Sequence, residues 1–222
     1  MSITVSIYDF FAYTIPGGVY LFAIIYACAT FGIVTIDYQS LNSLSATQIT
    51  AGAILAYILG LLLDQFAKYW YRLFKPKNVA QAVLDGLKVK HPEVDMKFRG
   101  KDWAVLIAYL RRERADAALD IERLNASHIM LKNVSFGLVI LSIIQLAQTI
   151  QMNFPVWSLI LCAALVVASV IAGRQAAKFN KWFYSANYEA IIARGIDISD
   201  LIVRKQEKAI PPVKKTEEAP SE

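Results

Sequence analysis

Three long stretches of this chain carry no charged residue: Phe10 to Ile36, Tyr38 to Leu63 and Asn133 to Gly173. A soluble helix or strand turns one face to water, so charge recurs along it every turn or two. A bilayer demands the opposite, about 20 consecutive apolar residues of helix whose backbone polar groups are satisfied within the segment. Each of the first two runs suits one crossing. The third, with 41 residues, suits two crossings joined by the turn Gln151-Met152-Asn153-Phe154-Pro155. The expected fold class is all-α and integral to a membrane, with four transmembrane helices and long cytoplasmic helical extensions. A hydrophobic share of 56% is in keeping, being too high for an ordinary soluble domain. The first run lacks the basic leader and small-residue cleavage site of a signal peptide and reads as retained.

Orientation follows from charge. All 23 Lys and Arg fall between Gln65 and Asn133 or from Arg174 onward, and such segments stay in the cytoplasm. The link Asp37 to Ala46 and the Gln151 to Pro155 turn carry none and belong outside. Both termini are then cytoplasmic. The expected divisions are an interfacial segment with the first two crossings (1–63), a cytoplasmic loop and stalk (64–132), crossings three and four (133–173), a cytoplasmic helical segment (174–205) and a disordered tail (206–222). The net charge of +5 follows from this bias and suits anionic lipid, so direct nucleic-acid binding is not expected.

Within the crossings, small residues recur four apart: Gly52, Ala56 and Gly60 in the second, Ala164, Ala168 and Ala172 in the fourth. Such faces let helices approach closely where lipid supplies no hydrophobic drive between them. They are the expected contacts of the bundle, within one chain or between copies of an oligomer. Ile15-Pro16-Gly17-Gly18 reads as the start of the first crossing, Pro being pre-set for a first helical turn. Beyond crossings two and four, aromatic residues mix with Lys and Arg as the headgroup layer selects.

The cytoplasmic loop is expected to hold a short helix near Asn78 to Lys88, a turn-rich stretch from His91 to Gly100, and a long helix capped by Asp102. From Trp103 nothing but Gly137 weakens a helix before the outside turn, which predicts one rod of about 50 residues, roughly 75 Å, with its first half as a stalk. Heptad counting along it puts Ile121, His128, Ser135, Ser142 and Thr149 at one position. Ala117, Leu124, Leu131, Leu138, Gln145 and Met152 fall at the other. The membrane half of this seam, Ser135, Ser142, Gln145 and Thr149, is polar. These groups either hydrogen-bond to a facing helix or line a hydrated path between subunits. The boundary charges are Asp64, which can pair with Lys68 one turn on, and Arg174.

Little here speaks of chemistry. Cys28 and Cys162 sit mid-span as inert thiols, no His, Cys, Asp and Glu set has metal-ligand spacing, and no phosphate loop or nucleophile elbow occurs. No catalytic residue, metal or cofactor is expected, and an enzyme is the least favoured class. Arg123-Leu124-Asn125-Ala126-Ser127-His128 resembles the ribonuclease motif of HEPN domains, whose Arg and His handle phosphate and proton transfer. Leu124 stands here in place of the usual polar residue. Tyr8-Asp9-Phe10-Phe11-Ala12-Tyr13 leading into Ile15-Pro16-Gly17, with Arg114 to Asn133 flanking a span, resembles small uncharacterised bacterial four-span proteins. Some of these lie among genes for anti-phage defence. That resemblance implies an oligomeric effector in a bacterial inner membrane that permeabilises it when a cytoplasmic protein partner signals, lipids being its other partner. The alternative is a passive anchor or scaffold, with a small transporter or channel subunit third.

Overall fold

The computed structural model describes residues 7–35, 45–92 and 99–193. Its α-helices are α1 (Ile7–Thr30), α2 (Ala46–Tyr71), α3 (Val79–Lys90), α4 (Trp103–Glu113), α5 (Ala115–Gln151) and α6 (Val156–Ile192). One turn of 3₁₀-helix, Gly100–Asp102, leads into α4. Four of these, α1, α2, α5 and α6, are long and apolar enough to cross a membrane. The protein is therefore an all-α, multi-pass membrane protein. Large apolar side chains such as Phe22, Ile54, Leu62, Ile160 and Val167 point outward, where lipid, unlike water, solvates them without cost. α5 and α6, of 37 residues each, are about 55 Å long against a hydrocarbon layer of about 30 Å. Both run on past the apolar layer at the end where the basic residues lie.

α1 begins at Ile7, so Pro16 lies inside a helix and not at its start as its sequence context predicts. Proline removes an N–H and crowds the preceding turn, but membrane helices accept it where neighbouring elements compensate. Pro16 is fully buried, and a Cβ on the next residue, Gly17, would stand 1.7 Å from the Ala56 carbonyl oxygen. The segment is thus a contact surface against α2. Gly60 completes it, since a Cβ there would come within 2.1 Å of the Tyr13 carbonyl oxygen. Gly52 has open space where its Cβ would be. On α6, Ala172 is buried while Ala164 and Ala168 are exposed. The next residue, Gly173, takes the ring of Phe74, 2.8 Å from where a Cβ would be. Gly137 admits Val19 and Tyr20 of α1 onto α5 in the same way.

The expected rod from Trp103 is broken. At Arg114 the backbone turns extended, φ −152° and ψ 90°, and α4 folds back. No glycine or proline marks the spot; packing decides it. Leu106 and Leu110 of α4 are fully buried in a cluster with Leu84 of α3, Ile121 of α5 and Tyr188 and Ile191 of α6. Each such side chain contributes roughly 1.5–3 kcal/mol when buried, more than a straight continuation of helix would recover. Arg111 and Glu122, 2.5 Å apart, clip the fold-back. Asp102 does not cap α4 with its side chain; its carboxylate accepts from the Arg99 N–H at 2.9 Å and closes the 3₁₀ turn. α3 falls where a short helix is expected, and α6 is helical to Ile192. Residues 194–205 of the expected helical segment and the tail 206–222 lie outside the described residues.

Candidate functional site

The apolar run of α2 ends at Asp64 and that of α5 begins after Lys132, so antiparallel packing brings the two residues to one level. Both are buried, at 7% and 4% exposure. Lys132 Nζ donates to Asp64 Oδ1 at 2.6 Å, and Asn133 Nδ2 donates to the same oxygen at 2.9 Å. Lys68 Nζ stands 3.1 Å from the other carboxylate oxygen. The Tyr20 hydroxyl of α1 donates to the Asn133 carbonyl at 2.8 Å, so three helices meet in the network. A buried ion is tolerated only when paired and hydrogen-bonded, and Asp64 satisfies both conditions. Its expected partner Lys68 is present, yet the buried counter-charge is Lys132. Arg174, the other boundary charge, is exposed on α6 and takes no part.

Beside this network opens a cleft of about 240 Å³. α2 supplies Asp64 and Lys68, α5 supplies His128 and Lys132, α6 supplies Asn180 and Tyr184, and Lys75 and Trp103 close the rim. His128 Nδ1 donates to the Ala176 carbonyl at 3.0 Å; a carbonyl only accepts, so the neutral ring keeps its lone pair on Nε2. The ring also stands edge-on to Tyr71, centroids 5.0 Å apart. Arg123 lies elsewhere, exposed in a separate cleft with Tyr8 and Phe11. The Arg and His of the HEPN-like spacing therefore do not converge.

The polar seam faces the interior of the chain. Ser135 Oγ donates to the Ser169 carbonyl at 2.8 Å, Ser169 Oγ returns a bond to the Ser135 carbonyl at 2.8 Å, and Trp70 Nε1 donates to Ser135 Oγ at 2.9 Å. Higher up, Gln145 Nε2 donates to Ser158 Oγ at 2.6 Å and its Oε1 accepts from the Tyr26 hydroxyl at 2.6 Å. Thr149 Oγ1 bonds back to the Gln145 carbonyl at 2.7 Å and pairs with Ser158 Oγ. The Ser142 hydroxyl bonds within its own helix and to no facing one, donating to the Val139 carbonyl at 2.8 Å. All four are buried between α5 and its neighbours in one chain.

Periodicity pointed to neither Lys132 nor Asn180, because a buried lysine looks in sequence like one more basic residue beyond a span. The usable signal was position: Asp64 and Lys132 are the charges flanking consecutive apolar runs. Among the described residues no group of three His, Cys, Asp or Glu side chains is arranged to hold a metal ion. The cleft is lined by ammonium groups and amides, with one carboxylate and the His128 imidazole beside them. No family model, no curated protein and no solved structure matches this chain.

Proposed function

We propose that this protein is an inner-membrane anchor, with both termini in the cytoplasm, that holds a folded helical platform for a cytoplasmic partner at the bilayer surface. The observation that carries this reading is the platform itself. α3 and α4 form one buried apolar cluster with the extended ends of α5 and α6, so a rigid soluble-type core is fused to two crossings. Such a body offers a cytoplasmic partner a folded surface to dock on, as a scaffold requires. The orientation rests on the confinement of all 23 Lys and Arg to the segment between the second and third spans and to the residues from Arg174 onward. The exposed Ala164 and Ala168 suit close approach of a second copy in the membrane.

The effector reading rests on the resemblance, and the polar seam would be its hydrated path between subunits. The seam's groups have partners within the chain, and anchoring leaves those bonds undisturbed. Two measurements test the proposal together. In a background with Cys28 and Cys162 replaced by Ala, a cysteine at Asn153 should label with an impermeant reagent in intact cells, and one at Lys90 should not. Induced expression should leave the membrane potential unchanged, also under phage challenge with the genomic neighbours present. Labelling at Lys90 would invert the topology, and depolarisation would restore the permeabilising effector.

A further inference from the structure

We propose that the cleft between α2, α5 and α6 is a binding site for a phosphate group carried by an ester. The argument begins with charge. Lys68, Lys75 and Lys132 line the cleft and Asp64 is the one carboxylate among its lining residues, so the walls keep an excess of two positive charges. Asp64 already accepts from Lys132, Asn133 and Lys68 and has little capacity left for them. A phosphate monoester brings close to two negative charges near neutral pH and oxygens that accept from several ammonium donors at once.

The remaining lining fits the rest of such a molecule. Asn125 and Asn180 add neutral donors, and Trp103, Phe183 and Tyr184 form an apolar wall beside them. A cleft of about 240 Å³ has room for a phosphate and the few carbon atoms attached to it. Depth matters as well. Asp64 and Lys132 sit where the apolar runs end, the level of lipid headgroups, where basic pockets between spans hold anionic lipid. The phosphate can therefore belong to a lipid or to a soluble ester entering from the platform side. The site stands on cleft geometry and not on the anchoring role, so either can fail without the other.

The test uses the full chain in phosphatidylcholine nanodiscs, probed with phosphatidic acid in the disc or with inorganic phosphate in solution. Thermal midpoint and lipid retained in native mass spectra are the readouts. The double variant Lys68→Gln/Lys75→Gln keeps the buried Asp64–Lys132 pair, so folding is preserved. A control, Lys88→Gln/Lys90→Gln, removes two exposed charges from α3. Wild type and control should retain phosphatidic acid over phosphatidylcholine, with affinity falling on the order of 10- to 30-fold in the cleft variant, at about fivefold per lysine. A midpoint shift with inorganic phosphate but not with phosphatidic acid, lost in the cleft variant, would support the site and assign it to a soluble ester. Equal losses in the cleft and control variants would mean general attraction to a basic surface and overturn the proposal. So would the absence of any shift with both probes.

Discussion

Removing the carboxylate of Asp64 should destabilise the bundle more than removing its partner ammonium, and the structure sets the size of the difference. In Asp64→Asn the Lys132 ammonium, 4% exposed, loses its counter-charge. Breaking a buried pair from one side costs about 3–5 kcal/mol. In Lys132→Met the carboxylate still accepts from Asn133 at 2.9 Å and faces Lys68 at 3.1 Å. Because the Lys68 side chain is 52% exposed, solvent screens its help, and a cost of about 2 kcal/mol is expected. The double variant carries no buried charge at this site and should be more stable than Asp64→Asn alone. For a chain of this size each kcal/mol moves the thermal midpoint by roughly 2–4 °C. Unfolding in mild detergent, followed by helical circular dichroism, should then fall by roughly 10 °C for Asp64→Asn and about half that for Lys132→Met. Equal shifts in the two single variants, or strictly additive loss in the double, would show that the pair does not couple as the geometry requires.

The contact between α1 and α2 should answer to single methyl groups. Gly17→Ala and Gly60→Ala each place a Cβ against backbone, at 1.7 and 2.1 Å, and should lower thermal stability by several degrees or abolish folding; Gly52→Ala, with open space around it, should not. Ala168→Leu should leave the melting of the single chain unchanged, and a shift in oligomer mass by native mass spectrometry would identify that face as the contact between copies. In the seam, Ser142→Ala should be nearly silent because its bond is within one helix. Gln145→Leu removes one of two bonds from each of Ser158 and Tyr26, which keep Thr149 and Gln148, and should cost about 1–3 kcal/mol for the two bonds lost; a reversed order, measured by thermal melting, would place the polar groups wrongly.

The sequence by itself determined the number of crossings, because the demand of hydrocarbon is local: a span must be predominantly apolar and free of charge, and its backbone groups bonded within its own helix. It also located the two ends of the bundle that differ in charge. The level of Asp64 was legible, since it closes an uncharged run, and so was its bond to Lys68 one helical turn away. The rotation of each helix about its axis was not. α6 is apolar on nearly every side, so no stripe in its sequence says that Ser169, Ala172 and Gly173 face inward while Ala164 and Ala168 face out; in lipid both choices satisfy the solvent. Only packing against Phe74 and Ser135 decides between them. The break at Arg114 and the place of Pro16 inside α1 have the same origin. Helix propensity favours a continuous rod after Trp103 and a helix starting at proline, but those terms amount to about a kcal/mol per residue or a few. Burial of Leu106 and Leu110 beneath α6, and the seating of Gly17 on Ala56, depend on chain segments 39 or more residues away. The same long-range pairing joins Asp64 to Lys132, and it makes the cleft a property of the tertiary structure alone.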